Sequence, residues 1–315
     1  MINFRFHIVS LIAVFLALAL GIVMGATVVN RAIVDRLNDR IDTVEDNANR
    51  RKAESDDLRT QVGQLQGYID GTKDFAVAGR LDGVSLVTIA TRGVDADAVK
   101  QTVELAQRAG ARAPGIIWLE EKLTLSDDDA LRQLGELLGR MGQSAKTTRD
   151  DAWNALASRL ASGGGAAANG RELPRALADA GFISFEPVGD QGENFSPASF
   201  SGGEPRVLLV DGTNGQVAGN EVLAPLSNAL TANRVRLVVG EVFDEQDGKP
   251  QRGAMLTPIR DSDTLKQTVS TVDDLDLIEG RVVTVLALAD LTRNVVGQYG
   301  YGTGATTSTP EWSNQ

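Results

Sequence analysis

The longest uncharged stretch of the chain lies at its start. Residues Ile8 to Val29 carry no charged side chain, and thirteen of these 22 residues are Leu, Ile, Val or Phe. At about 1.5 Å of rise per residue, a helix of this length spans roughly 33 Å, enough to cross the hydrocarbon core of a bilayer. A cleaved signal peptide is the alternative, but its apolar region is shorter and ends at a small-residue cleavage site. We therefore predict a retained transmembrane helix at residues 8–29, in contact with membrane lipid, after a short tail at residues 1–7.

Charge around this helix leaves its orientation open. Arg5 precedes the apolar run, whereas Arg31, Arg36 and Arg40 follow it. Counting these residues alone mildly favours a cytoplasmic C-terminal side, but large domains translocate largely regardless of such charges. The chain has no cysteine, which fits either compartment.

A heptad pattern follows the apolar run, over residues 31–72. Apolar side chains recur at alternating spacings of three and four, the a and d positions of a coiled coil. β-branched residues at a with leucine at d favour two parallel strands, so we predict a parallel homodimer. The core is weakest at Ala48, Arg51 and Ser55, and the alternative is a lone amphipathic helix packed on its own domain. The predicted core residues are Val34, Leu37, Ile41, Val44, Ala48, Leu58, Val62, Leu65 and Ile69.

From about residue 81 the pattern changes to short apolar runs that alternate with helical segments. Strands are predicted at 84–90, 116–119, 207–210 and 235–242, with 282–288 as the last strand. Helices are predicted from Asp95 to Gly110, from Ser126 onwards, and at 220–232. This alternation predicts a mostly parallel sheet covered on both faces, in a Rossmann-like or flavodoxin-like α/β domain over residues 81–300.

Glycine-rich segments interrupt this domain and follow it. Residues 162–170 and 189–204 are predicted loops. Residues 301–315 are rich in Gly, Thr and Ser and are predicted to form a disordered tail.

The chain offers few groups for catalysis. Its one histidine, His7, precedes the apolar run, and the absence of cysteine excludes thiolate nucleophiles and thiolate metal sites. No Gly-rich segment leads into the Lys-Ser/Thr pair of a P-loop, and the turn Asp211–Gly215 lacks the spacing of a dinucleotide-binding loop. We therefore predict no enzymatic activity, no catalytic residue, no cofactor and no metal site.

Two groups of carboxylates remain. Ser126 with Asp129 three residues on resembles a capping box, where acids complement a helix start without any ligand. A denser group, without the spacing of an EF-hand, is a candidate functional acidic cluster. Its members are Asp273, Asp274, Asp276 and Glu279. Because the net charge is −11, no binding to nucleic acid is predicted.

Several segments resemble one protein family. They are Arg5–Ala19, Ala180–Ile183, Ser270–Asp274, Gly280–Leu288 and Gln298–Gly300 with the glycines that follow. Through them the chain is similar to the actinobacterial (mycobacterial-type) copper transport protein B family over nearly its whole length. It also resembles the cell-separation envelope partner proteins of corynebacteria.

These resemblances imply two roles. The first is an envelope protein that limits intracellular copper, associated with the outer membrane and channel-forming. The second is a role in daughter-cell separation. There the protein would act as the partner of a membrane protein and activate a peptidoglycan hydrolase. Both imply that the large C-terminal domain lies outside the cytoplasmic membrane, to which the apolar helix anchors it.

Copper ligands bear on the first role. Copper(I) prefers thiolate, thioether and imidazole ligands, but Met1, Met24, Met141 and Met255 lie far apart in the sequence. One apolar helix per chain also makes a poor pore. The predicted function is therefore a non-enzymatic, membrane-anchored envelope protein with an indirect role in copper homeostasis. The alternative is a coiled-coil scaffold that couples a membrane partner to a peptidoglycan hydrolase.

Overall fold

The computed structural model describes residues 4–162, 172–195, 205–245 and 251–311, and among these it gives the side chains of all but 27–35 and 194. The chain divides into two compact units, Met1–Leu65 and Gln66–Gln315. The first unit is helical and the second is an α/β domain.

The described part of the first unit is formed by helix α1, which begins at Phe4 and ends, within the second unit, at Val77. Its segment Phe4–Ala26 is long and apolar enough to cross a membrane, with a mean hydropathy of 2.8 and an apolar stretch that is not buried. Among the residues described, no other helix meets these criteria. The segment overlaps the span predicted at residues 8–29.

The second unit is built on one sheet. Its strands are β1 (Leu86–Thr91), β2 (Gly115–Leu119), β3 (Ile183–Pro187), β4 (Arg206–Gly212), β5 (Arg236–Val242), β6 (Ser270–Val272) and β7 (Gln298–Tyr299). Over the described residues their order is β3-β2-β1-β4-β5-β6-β7. All neighbours are parallel except β2 and β3. The prediction of an α/β domain with a mostly parallel sheet is thus confirmed.

The strand order distinguishes between the two arrangements left open by the sequence. The order 3-2-1-4-5-6 is that of Rossmann sheets, whereas flavodoxin-like sheets have the order 2-1-3-4-5. β3 departs from the Rossmann pattern because it runs antiparallel to β2. The order reverses between β1 and β4, and ligands of open α/β sheets bind outside the carboxyl ends of the strands at such a point.

Helices cover both faces of the sheet, as the sequence predicts. They are α2 (Ala96–Arg108), α3 (Asp128–Leu138), α4 (Ala145–Ser162), α5 (Leu173–Asp179), α6 (Gly219–Ala232), α7 (Thr257–Arg260), α8 (Leu265–Thr268) and α9 (Ile278–Asp290). One apolar core joins the sheet to α3–α8, and the other joins it to α2, α9 and the end of α1. Alternate strand residues supply the two cores: Leu209 of β4 belongs to the first and Val210 to the second.

Side-chain caps mark the starts of α2 and α3. The carboxylate of Asp95 accepts hydrogen bonds from the backbone N of Asp97 at 2.9 Å and of Ala98 at 3.4 Å, as expected for the predicted start of α2. At α3 the cap is Asp127, whose Oδ1 accepts from the backbone N of Ala130 at 2.7 Å. The capping box indicated by Ser126 is therefore displaced by one residue.

The apolar run at 282–288, predicted as the last strand, is helical, and that prediction is wrong. It lies within α9, where Val283 to Leu288 are all buried. A helix buried on most sides has a continuous apolar sequence, which short-range periodicity cannot distinguish from a buried strand. β6 and β7 flank α9 and are only three and two residues long, too short to give a pattern of their own.

Residues 301–311, which fall in the predicted disordered tail, form turns that are bonded to the domain. The backbone N of Gly300 donates to Thr307 O at 3.0 Å, and the backbone N of Thr303 donates to Arg252 O at 2.9 Å. In the second predicted loop, Asp190–Asn194 forms a short 3₁₀ helix. Residues 163–170 and 196–204 of the predicted loops, and residues 312–315, lie outside the described residues.

Candidate functional site

Acidic side chains follow one another across the carboxyl ends of three neighbouring strands. Asp211 of β4 is paired in register with Glu241 of β5, and Asp273 directly follows β6. Because Gly240 pairs with Val272, the three acids stand at the same level of the sheet. We call Asp211, Glu241 and Asp273 the acidic edge.

Asp273 is neutralised by a buried arginine. Nη1 of Arg260, in α7, donates to Oδ2 of Asp273 at 2.9 Å, and the two side chains are 2% and 0% exposed. Three further guanidinium hydrogens are used within the domain. They donate to Thr271 Oγ1 at 2.9 Å, to Thr303 O at 2.6 Å and to Tyr299 O at 2.9 Å.

The second oxygen of Asp273 holds the turn that follows β7. Oδ1 accepts from the backbone N of Tyr301 at 2.9 Å and of Gly302 at 3.1 Å. Both oxygens are therefore engaged by donors of the chain itself. Asp273 acts as a structural anion rather than as an open ligand.

Asp276 forms a second ion pair, with Arg252. Two parallel hydrogen bonds join them, from Nη1 to Oδ1 at 2.6 Å and from Nη2 to Oδ2 at 2.8 Å. This hydrogen bonding raises the pKa of Arg252. The guanidinium carbon lies 4.6 Å from the ring centroid of Phe243, a cation–π distance. The pair thus joins the loop after β5 to the loop after β6.

The other two members of the predicted acidic cluster lie near the start of α9. Burial, followed by the charge of Asp273, raises the pKa of Asp274 to about 7. Oδ1 of Asp274 and Oε2 of Glu279 are buried atoms without a hydrogen-bond partner in the described part of the chain. No group of three or more His, Cys, Asp or Glu residues that could hold a metal ion occurs among the described residues.

Asp211 lies beside the reversal of strand order and is fully buried. Its Oδ1 accepts from the backbone N of Gly212 at 2.8 Å, while Oδ2 has no hydrogen-bond partner in the ranges the structure describes. Burial raises the pKa of this carboxyl to about 7, although the Gly212 hydrogen bond and the Thr91 hydroxyl of β1 act in the opposite direction.

Glu241 is 1% exposed. Its Oε2 accepts from the backbone N of Gly253 at 2.6 Å. Burial and, to a lesser degree, the charge of Asp273 raise its pKa to about 7. Because Asp211 bonds to Gly212 and Glu241 to Gly253, the paired strand positions do not create a shared carboxylate site.

The crevice at the reversal of strand order is filled by the chain itself. The backbone N of Gln216 donates to Arg92 O at 2.7 Å, which draws the turn after β4 onto the loop after β1. A Cβ on Gly93 would lie 2.3 Å from Asn214 O. The N-terminus of α2, where a dinucleotide would place its phosphates, is capped by Asp95. This geometry disfavours nucleotide binding at this edge.

Soft copper donors are dispersed. His7 and Met24 lie on α1 in the first unit and are exposed. In the second unit Met141 borders a cavity of about 220 Å³ beside α3. The methyl group of Met255 lies against Gly219, at the start of α6. The thioethers of the described residues thus lie in different parts of the chain.

The heptad positions of α1 form an exposed apolar stripe, which is the second candidate site. Its members in the first unit are 46–66% exposed: Leu37, Ile41, Val44, Leu58, Val62 and Leu65. Ala48 is also exposed, Ile69 in the second unit is half-buried, and the side chain of Val34 lies outside the described residues. The stripe is available to another helix, and the coiled coil stays a prediction.

Sequence reasoning missed three residues of the acidic edge and its surroundings. Glu241 interrupts the apolar run of β5, which is a signal that a buried acid needs a partner. Arg252 lies in the loop after β5 and Arg260 ends the short helix α7. Neither gives a comparable signal, because only the fold brings them to the acids.

Known proteins match this chain over almost its entire length. Residues 1–310 match the sequence model of a family described as copper transport outer membrane protein, MctB. The chain is 27% identical to the copper transporter MctB of Mycobacterium tuberculosis over 318 aligned positions, 97% of this chain and 98% of that protein. It is also 27% identical to the copper transporter MctB of Mycobacterium leprae over 338 positions, 98% and 99% of the two chains. These full-length matches confirm the resemblance in the sequence: the chain belongs to the MctB copper transport family.

Proposed function

We propose that this protein is a non-enzymatic scaffold of the cell envelope that is anchored by α1 and limits intracellular copper indirectly. Its family membership and its similarity to proteins named copper transporters support a role in copper handling. The apolar segment of α1 supports a membrane anchor. In this proposal the second unit lies outside the cytoplasmic membrane, which the family's description as an outer membrane protein favours.

The side-chain chemistry favours an indirect role over a copper site in the second unit. Met141 and Met255 lie in separate elements of that unit, and copper(I) is held tightly by sets of soft ligands rather than by one thioether. The oxygens of Asp273 and Asp276 already accept hydrogen bonds from arginine. A purified full-length chain that binds one copper ion tightly would contradict this part of the proposal.

The observation that carries the scaffold proposal is the exposed apolar stripe of α1. Six leucine, isoleucine and valine side chains on one face are about half exposed or more. Exposed apolar surface of this kind favours an interaction site, because covering it removes apolar area from water. A second copy of the same helix fits, since N-terminal anchors in one membrane hold two copies parallel.

Charges beside the stripe favour a parallel pair of identical helices in register. In such a pair each g residue faces the e residue five positions further along the other helix. With residue 34 at position a, Arg40 of one copy faces Glu45 of the other, and Glu54 faces Arg59. The remaining pairs in the first unit and at its end are Ile33 with Asn38, Asn47 with Lys52 and Gln61 with Gln66. None of these pairs brings like charges together.

The oligomeric state of the full-length chain in detergent tests the scaffold. We expect a dimer in analytical ultracentrifugation at micromolar concentration. Leu58→Glu, at position d, should dissociate it, whereas Thr60→Glu, at the outward position f, should not. A monomeric wild-type protein under these conditions would contradict the proposal.

Variants in which the charges of Arg40 and Glu45 are changed test the register of the proposed coiled coil. Arg40→Glu alone, or Glu45→Arg alone, sets like charges against each other in both symmetric contacts and should weaken the dimer. The double variant Arg40→Glu/Glu45→Arg restores the attraction and should recover the affinity. A double variant weaker than either single one would rule out the parallel register.

Cell-associated copper under graded copper load tests the copper role. A strain without the gene should accumulate copper, and complementation with the wild type or with Thr60→Glu should reverse this, but Leu58→Glu should not. Copper that is unchanged by the deletion would contradict the copper role. A defect in daughter-cell separation in that same strain would then favour the alternative, a scaffold between a membrane partner and a peptidoglycan hydrolase.

A further inference from the structure

A basic cavity lies at the amino ends of β4 and β5, on the opposite edge of the sheet from the acidic edge. Its volume is about 510 Å³. Polar side chains in its lining are those of Ser85, Arg206, Asn233, Arg234 and Arg236, and the carboxylate of Asp82 is the one acid among the described lining residues. Three arginines therefore line one cavity, in a chain whose net charge is −11.

Arg206 is a buried cation without a counter-ion in the part of the chain that the structure describes. It is 8% exposed. Its guanidinium donates to the backbone carbonyl of Leu288, and Nη2 donates to Thr292 Oγ1 at 2.5 Å. Both acceptors are uncharged, and no carboxylate of the described residues lies within ion-pair distance of Arg206. Buried charges in proteins are normally paired, because an unpaired charge loses its hydration without compensation.

Arg236 adds to the positive charge beside Arg206. The two residues are paired in register on β4 and β5, and like charges that face each other on neighbouring strands repel. Burial and, to a lesser degree, the charge of Arg236 lower the pKa of Arg206. An anion between the two guanidinium groups would relieve both the repulsion and the loss of hydration.

Arg234 occupies a backbone position that favours glycine. Helix α6 ends in a Schellman motif, in which the backbone N of Arg234 donates to Thr231 O at 2.9 Å and that of Val235 donates to Leu230 O at 3.0 Å. The motif holds Arg234 at a φ of 61°, where a Cβ is unfavourable. An arginine is therefore worse than glycine for this turn, although the residue lines the cavity.

We propose that the cavity bordered by Arg206, Arg234 and Arg236 binds a phosphate group. Guanidinium groups donate in a planar fork that matches phosphate oxygens, and a doubly charged anion balances more of the local charge than a carboxylate does. The cavity lies in the size range of small-molecule sites, so the ligand is a pyrophosphate or a phosphate ester rather than a lone inorganic ion. This inference does not depend on the coiled coil or on a copper role.

Titration calorimetry of the full-length protein in detergent tests this site, with pyrophosphate and glycerol 3-phosphate as separate probes. We expect saturable binding of at least one probe. Arg234→Gly and Arg236→Gln should each weaken it about tenfold or more, because each removes a charge-assisted contact. Arg175→Gln, which removes an exposed arginine on α5 outside the cavity lining, should leave it unchanged.

Arg234→Gly separates loss of the ligand from loss of the fold. Glycine suits the left-handed position, so this variant should melt at the same temperature as the wild type or higher while it loses affinity. Preferred binding of pyrophosphate would indicate a free phosphate compound, and preferred binding of glycerol 3-phosphate would indicate an ester such as a headgroup. Three results would each overturn the proposal. They are absence of binding for both probes, binding that neither cavity variant affects, and tighter binding of the carboxylate anion citrate than of either phosphate probe.

Discussion

Arg260 and Asp273 form a fully buried ion pair, with Nη1 of the arginine 2.9 Å from Oδ2 of the aspartate. The pair joins α7 to the end of β6, and through Tyr301 and Gly302 it also fixes the turn after β7. A residue that the sequence suggests as a ligand is thus engaged in holding the edge of the sheet together.

Asp273→Asn should strongly destabilise the second unit. The substitution leaves the guanidinium of Arg260 buried and without its counter-ion, which costs about 3–5 kcal/mol of unfolding free energy. Urea denaturation followed by tryptophan fluorescence measures this, since Trp118 and Trp153 are buried in this unit.

The matched control for this experiment is Asp263→Asn. Asp263 is 92% exposed and pairs with Lys266, so its loss should have little effect on the free energy of unfolding. Equal effects of the two substitutions would mean that the buried pair does not stabilise the domain beyond a surface ion pair.

The acidic cluster illustrates what the sequence can and cannot reveal about the site. Spacing brings Asp273, Asp274 and Asp276 together in the chain, and they are also close in the structure. Their partners Arg252 and Arg260 come from another segment, so no local pattern predicts the ion pairs. Burial distinguishes an acid in a structural ion pair from an acid that is open to a ligand, and burial is a property of the whole fold.

Asp211→Asn should change how stability depends on pH. The native carboxyl has a pKa of about 7, whereas an unfolded aspartate titrates near about 4. Between these values the native state holds a proton that the unfolded state has lost. The contribution of this group to the free energy of unfolding is therefore full below about pH 4 and is lost as the pH rises to about 7. The asparagine variant has no carboxyl at this position and does not lose stability in this way.

We therefore expect the variant to gain stability relative to the wild type between pH 5 and pH 7, at no more than about 1.4 kcal/mol per pH unit. The measurement is urea denaturation of both proteins at several pH values. Asp263→Asn should show no such gain, because Lys266 lowers the pKa of that exposed acid. A constant difference between Asp211→Asn and wild type would show that Asp211 does not titrate in this range.

The start of α3 gives a test of a single hydrogen bond. Asp127→Ala removes the acceptor of the Ala130 backbone N–H and should cost about 1 kcal/mol of unfolding free energy. Ser126→Ala should be nearly neutral, because the cap is one residue further on. Thermal or urea unfolding of the two variants shows which residue is the cap of α3. A larger loss of stability for Ser126→Ala than for Asp127→Ala would identify Ser126 as the cap.

The fold was predictable where elements are long and local signals agree. β1, β4 and β5 are long apolar runs of the sheet interior, and Asp95 marks the start of α2 as expected. The run in α9 resembles a buried strand because a helix buried on most sides shows no 3.6-residue period. The strand order depends on contacts between distant segments, which a single sequence does not contain.

Arg51 provides a direct test of the proposed dimer. It stands at a d position, where a parallel pair would set two guanidinium groups against each other in the core. Arg51→Leu should replace this repulsion by apolar burial and stabilise the dimer by about 3 kcal/mol. Arg50→Leu adds the same side chain at the outward position c and should have little effect on the dissociation constant. Sedimentation equilibrium of the two variants decides: equal affinities would place residue 51 outside the interface and exclude the heptad register on which the scaffold rests.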